Sequence, residues 1–172
     1  MAKKVKATAA RTAVYPGSFD PITLGHVDII ERVARTFDRV IVLIARSPDK
    51  QSLFTPEIRK TLIEKSLAHL DNVEVDIHEG LTTDYANRVG AMVLVRGLRA
   101  VVDFEYEVYM ANMSAKLAPD IETLLVFARP AYYFLSSRSV KEVARHQGEL
   151  SGLVPSPVQD ALLKIFKKGK KK

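Results

Sequence analysis

Apolar residues along this chain fall into short continuous runs separated by amphipathic stretches. Val40-Ile-Val-Leu-Ile44 is apolar at every position, the pattern of a parallel strand buried on both faces. Met92-Val-Leu-Val95 and Leu124-Leu-Val-Phe127 read the same way, and Ala13-Val14-Tyr15 is a shorter apolar run. Val73, Val75 and Ile77 alternate with Glu74, Asp76 and His78, which predicts a strand with one wetter face.

Helical stripes lie between these runs. Val27, Ile30, Ala34 and Phe37 share one face, and Ile58, Leu62, Ile63 and Leu67 share another behind the start signal Thr55-Pro56-Glu57. Asp84 to Val89 reads as a short helix. Asp103 to Leu117 reads as a longer one, capped by Asp103 and ended by Pro119. Ser139-Val-Lys-Glu142 has the form of a capping box opening Val140 to His146, and Pro157 to Phe166 is a last amphipathic helix.

Strand and helix alternate, so the expected class is α/β: one domain with a doubly wound, Rossmann-like parallel sheet and helices on both faces. Ligands in such sheets bind beyond the carboxyl ends of the strands. That rule gathers four loops, 16–26, 45–55, 96–103 and 128–139.

Composition changes this picture little. A chain of 172 residues with 47% hydrophobic content has enough for one full core. There is no cysteine, so disulfides and thiolate metal sites are excluded. No apolar run is long enough to span a bilayer, and the basic N-terminus lacks the apolar core of a secretory signal. A cytoplasmic location is expected, with no membrane partner.

The net charge of +6 belongs to the ends. Residues 1–11 and 164–172 hold 10 of the 26 basic groups and no acid. Residues 12–163 carry 16 basic against 20 acidic groups, a net of −4. Residues 1–11 are read as a flexible basic tail, 12–166 as the folded domain and 167–172 as a lysine-rich tail. No specific nucleic-acid partner is expected.

The first loop, Gly17-Ser-Phe-Asp-Pro-Ile-Thr-Leu-Gly-His26, carries the strongest chemical signal. A strand, a glycine-bearing turn and a helix start form a phosphate site, because the unpaired N–H groups there carry partial positive charge. A histidine beside such a site points to chemistry on the phosphate. The second loop offers Arg46, Ser47 and Lys50, the third Arg96, Gly97 and Arg99, and the fourth Ser136 to Ser139. Cations and hydroxyls converge as several phosphates would require. Arg96 and Arg99 are also placed to pair with Asp103 or Glu107. His69, His78 and His146 read as structural or exposed, with no zinc spacing.

The loop has neither a Walker ending nor dinucleotide-fold spacing. Thr23-Leu-Gly-His26 instead resembles the T/H-x-G-H signature of the class I nucleotidyltransferases, and Ser136-Ser137-Arg138 resembles their second motif. Tyr15 to His26, Arg96-Gly-Leu-Arg-Ala100, Asp103-Phe-Glu-Tyr-Glu107 and Val140 to His146 together resemble the bacterial phosphopantetheine adenylyltransferases, over residues 12 to 166.

That resemblance implies transfer of the adenylyl group of ATP to 4′-phosphopantetheine, giving dephospho-coenzyme A and pyrophosphate. It implies that His26 stabilises the transition state. It places Ser18, Phe19, His26, Gly97, Leu98, Arg99, Glu107, Tyr132, Tyr133, Phe134, Leu135, Ser136, Ser137 and Arg138 on the ATP side. Ser18, Lys50, Thr82 and Arg96 fall on the phosphopantetheine side. It further implies a homohexamer, feedback binding of coenzyme A, and Mg2+ carried mainly by the ATP phosphates without direct side-chain ligation. Thr82, Ser114 and Arg138 depart from the family pattern. Two other readings remain open: the same fold acting on another acceptor, such as nicotinamide mononucleotide, and a nucleotide or nucleic-acid binding module without catalysis.

Overall fold

A computed structural model describes residues 10–46 and 51–168, without the side chains of Val102, Lys167 and Lys168. Lys50 and most of the two expected tails lie outside the described residues. The chain runs β1 (Thr12–Gly17), α1 (Leu24–Ala34), β2 (Arg39–Arg46), α2 (Pro56–Ser66), β3 (Val73–Glu79) and α3 (Thr82–Arg88). It continues through β4 (Val93–Leu98), α4 (Val101–Leu117), β5 (Glu122–Phe127), a 3-10 turn (Pro130–Tyr132), α5 (Ser137–Arg145) and α6 (Ser156–Lys168).

All five strands are parallel, in the order β3-β2-β1-β4-β5. The chain builds outward from β1 in one direction, then returns to add β4 and β5 on the other side. The crevice between β1 and β4 is therefore the point where winding reverses, the usual ligand position in an open α/β sheet.

Side-chain alternation divides the core. Ala13, Tyr15, Val40, Val42 and Ile44 pack on one face with Ile30, Ile63, Val140 and Leu162. Val14, Ile41, Leu43 and Leu94 pack on the other with Tyr85, Ala118 and Ile121. Val40 to Ile44 are at most 1% exposed, as a strand flanked on both sides and both faces should be.

Several expectations need correction. The run 124–127 is an edge strand, and Leu124 and Phe127 are 38% and 58% exposed, because among the described residues no sixth strand pairs beyond β5. Ile58 stands out in solvent rather than on the buried stripe with Leu62, Ile63 and Leu67. Arg96, Gly97 and Leu98 belong to β4, not to a loop. Helix α3 begins at Thr82, two residues before the expected start.

Asp103 is not the α4 cap. Ala100 takes that position, and Asp103 in the first turn binds Arg99 instead. The capping box of α5 joins Ser136 to Ser139, three residues before the expected one. Glu142 pairs with Arg145 and His146. Helix α6 extends to Lys168, and Arg11 at the inner end of the expected tail is bound to Asp38 at 3.1 Å.

Candidate active site

A cleft of about 600 Å³ opens beyond the ends of β1 and β4. Ser18, Phe19, His26, Arg96, Gly97, Arg99, Glu107, Ser136, Ser137 and Arg138 line it, joined by Tyr15, Pro16 and Gly17. Four segments separated in sequence thus meet at the switch point.

His26 sits in the first turn of α1, held by a reciprocal cap. The Thr23 amide donates to imidazole Nδ1 at 3.0 Å, and the Thr23 hydroxyl accepts from the His26 amide at 3.4 Å. A nitrogen that accepts an amide proton carries none of its own, so the neutral ring holds its proton on Nε2. Burial, reinforced by the nearby Arg99 charge, lowers the imidazole pKa to about 4. At neutral pH His26 is therefore an uncharged donor. Its ring meets Phe19 edge-on at 5.2 Å, and Phe19 meets Tyr15 in the same way at 5.4 Å.

The cations are organised by carboxylates. Arg99 grips Asp103 with two guanidinium bonds of 3.0 Å and reaches the Leu135 carbonyl at 3.3 Å. Burial opposes ionisation of Asp103, but the Arg99 bonds hold its carboxyl below the usual range. Arg96 faces Glu107 at 3.5 Å, too long and oblique for a hydrogen bond. Arg96 Nε and Glu107 Oε2 are buried with no hydrogen-bond partner. Burial raises the Glu107 pKa, against the pull of Arg96. Unsatisfied charged atoms of this kind are costly in a folded protein, and they sit where a ligand could complete them.

The α5 hydroxyls are partly committed to structure. Ser136 Oγ accepts from the Ser139 amide at 3.0 Å, and Ser137 Oγ donates to the Pro21 carbonyl at 2.7 Å. The N-terminus of this nine-residue helix thereby docks on the first loop and opens on the cleft. Arg138 is exposed and has no carboxylate partner among the described residues.

Sequence reading missed the groups that fix these walls. Asp20 is buried and accepts from the amides of Leu53 and Phe54 and from Lys141 Nζ, each at 2.9 Å. It ties the first loop to the segment before α2 and to α5. Arg59, also buried, donates to the Ser18 carbonyl at 2.7 Å. Phe19 between them has φ +45, a left-handed conformation that costs a bulky residue on the order of 1 kcal/mol. The bonds on either side hold it there. Gly17 makes this possible, because a Cβ would lie 2.8 Å from the Phe19 ring. Asp20-Pro21 reads in sequence as ordinary turn chemistry, and an isolated arginine at 59 gives no signal.

Other singled-out residues stand apart from the main cleft. Leu98 is fully buried in the core. Leu135 is buried and lines a recess of about 40 Å³ behind His26, with Gly25, Ile29 and Ala128. Tyr132 packs on the core, whereas Tyr133 and Phe134 are 47% and 69% exposed. Thr82 is half-buried at the start of α3 and lines none of these cavities. A second polar cleft of about 470 Å³ shares Ser18, Ser137 and Arg138 with the first, and adds Ser52, Gln51 and Lys141. Among the described residues, no three histidine or carboxylate side chains gather into a group that could hold a metal.

The cytidylyltransferase-like family profile matches residues 14–143. A phosphopantetheine adenylyltransferase of Bdellovibrio bacteriovorus is 63% identical over 153 residues, 89% of this chain and 96% of its own. Enzymes of the same name from Desulforudis audaxviator and Staphylococcus carnosus are 53% and 49% identical, over 91% of this chain and 96% and 97% of their own. Among solved structures, a putative nicotinate-nucleotide adenylyltransferase from Vibrio parahaemolyticus superposes with a TM-score of 0.70, covering 90% of this chain and 92% of its own at 17% identity. That likeness concerns the fold.

Proposed function

The chain belongs to the cytidylyltransferase-like family and, within it, to the phosphopantetheine adenylyltransferases; from that premise we propose that its cleft joins ATP to 4′-phosphopantetheine, giving dephospho-coenzyme A and pyrophosphate. The observation that carries the mechanism is His26: a neutral imidazole, locked through Nδ1, in a cleft that also holds three arginines.

The acceptor is a phosphate monoester, largely ionised at neutral pH because its second pKa is about 6. It needs no general base. Its oxygen attacks the α-phosphorus in line, a new P–O bond forms, and the bond to the leaving pyrophosphate breaks. The obstacle is crowding anions together, so the protein's work is positioning and charge neutralisation. His26 Nε2–H donates to an α-phosphate oxygen as charge accumulates there. Arg99, Glu107, Ser18, Phe19 and the segment from Tyr132 to Arg138 form the ATP side. Arg96 marks the acceptor side within the cleft, and Lys50 and Thr82 are assigned to the same substrate on the family resemblance.

Magnesium would arrive on the ATP phosphates and offset their charge. The donor set of the cleft is mainly cationic and hydroxylic, with Glu107 as its carboxylate, which suits a metal held chiefly by the phosphates rather than by side chains.

Tyr106, Tyr109, Met113 and Leu117 form an exposed apolar stripe on α4, at 62%, 61%, 42% and 49% exposure. We assign it to subunit contact in a homohexamer. Coenzyme A carries the product's pantetheine arm and adenine, so it would compete for the same cleft as a feedback ligand. No described helix is long and apolar enough to cross a membrane. We place the enzyme in the cytoplasm, where ATP is available.

Pyrophosphate release should be measured with 4′-phosphopantetheine, nicotinamide mononucleotide and a polyol phosphate as alternative acceptors. Turnover is expected with the first. Turnover only with nicotinamide mononucleotide would replace the acceptor assignment, and none with any acceptor would favour a binding module.

A further inference from the structure

Tyr15 is the one cleft-lining aromatic residue whose polar atom the mechanism above leaves unused. Its side chain is 5% exposed, in the middle of the molecule at the end of β1. Its ring is fixed edge-on against Phe19, but among the described residues its hydroxyl makes no hydrogen bond. A tyrosine whose ring is buried ordinarily finds a partner for its O–H, and this oxygen, not itself sealed from solvent, opens on the cleft that Tyr15 lines.

The hydroxyl has been given room. A Cβ at position 97 would lie 2.7 Å from the Tyr15 oxygen and 2.8 Å from Ile29 Cδ1. Only glycine at that point of β4 lets the phenol reach across. Burial, with Glu107 reinforcing it, raises the Tyr15 pKa well above the ordinary phenol value. The group therefore keeps its proton and is a donor at any working pH.

Its location says what it meets. Tyr15, His26, Gly97 and Arg99 line both the large cleft and the small recess. Beyond the shared residues the recess is walled by Gly25, Ile29, Ala128 and Leu135 with Thr23, a mainly apolar lining suited to a flat base. The large cleft holds the cations that suit phosphates. A nucleotide using both must pass its sugar–phosphate link through the shared mouth. We propose that the Tyr15 hydroxyl is a further nucleotide-binding group, donating a hydrogen bond to an oxygen of the sugar–phosphate link of ATP as it crosses between the recess and the cleft.

This rests on the reading of the cleft as an ATP site, and Tyr15→Phe tests it directly. The variant keeps the ring and its contact with Phe19 and loses only the oxygen. ATP affinity by calorimetry, KM for each substrate and thermal stability should be measured on wild type and variant together. The dissociation constant and KM for ATP should rise about 2- to 10-fold, as expected for one uncharged hydrogen bond. KM for the acceptor should stay level, and Tm should be unchanged, since the oxygen makes no bond within the fold. Unchanged ATP affinity would overturn the proposal. So would a shift confined to the acceptor, or a fall in Tm of several degrees, which would make the hydroxyl a structural group. If wild type binds ATP but turns over no phosphopantetheine, the acceptor assignment fails while the ATP comparison still decides the role of Tyr15.

Discussion

Thr23 and His26 fix each other: the Thr23 amide binds imidazole Nδ1 at 3.0 Å, and the Thr23 side chain caps the His26 amide. The cap that starts α1 therefore also selects the tautomer of the residue placed to assist phosphoryl transfer. Burial and Arg99 then keep the ring neutral, with a pKa near 4. A side-chain NMR titration should show His26 unprotonated down to about that pH. A midpoint near the free value of about 6.5 would contradict this environment.

The same shift has a consequence for stability. The unfolded histidine takes up a proton at a pH where the folded one does not, so the unfolded state binds more protons between about pH 4 and 6.5. Stability contributed by this group is complete above 6.5 and is lost as pH falls towards 4. Urea denaturation of wild type and His26→Gln across that window should give a shallower slope for the variant. Equal slopes would mean that the group is not shielded.

Asp20 offers a test of how the cleft walls are joined. Asp20→Ala strips one acceptor from two backbone amides and Lys141. Leaving these donors unmet should cost about 3 kcal/mol, read as a lower urea midpoint. A loss below about 0.5 kcal/mol, the range of ordinary surface substitutions, would show that Asp20 does not hold the loops together.

These groups also mark where sequence reading stops. The central strands were legible because Val40 to Ile44 is buried on both faces, and the pattern records burial directly. Leu124-Leu-Val-Phe127 has the same pattern at the sheet edge, where half of it faces solvent. Composition cannot distinguish the two, because edge position is a property of topology. Local chemistry misled by a few residues at α5, where two overlapping capping patterns, Ser136 with Ser139 and Ser139 with Glu142, compete and the first forms the box. Ser18, His26, Arg96 and Arg99 were legible as clustered polar residues at strand ends, and they do share a cleft. Asp20, Arg59 and Tyr15 were not. Asp20 and Arg59 act across 33 to 121 residues of chain, and Tyr15 looks like any apolar strand residue.

The α4 stripe predicts an assembly. Tyr109→Asp puts a charge on a position that is 61% exposed in the single chain. The monomer should fold normally, while sedimentation analysis should show a hexamer for wild type and smaller species for the variant. Equal masses would free this face from the proposed contact.

The account depends most on His26 acting in the transition state rather than in substrate capture. The decisive measurement is kcat together with the ATP dissociation constant for His26→Ala. Losing one donor to developing charge should lower kcat by about 10²–10³, with ATP affinity held within about threefold. A variant with near wild-type kcat, or one whose loss of rate is matched by loss of ATP binding, would contradict it.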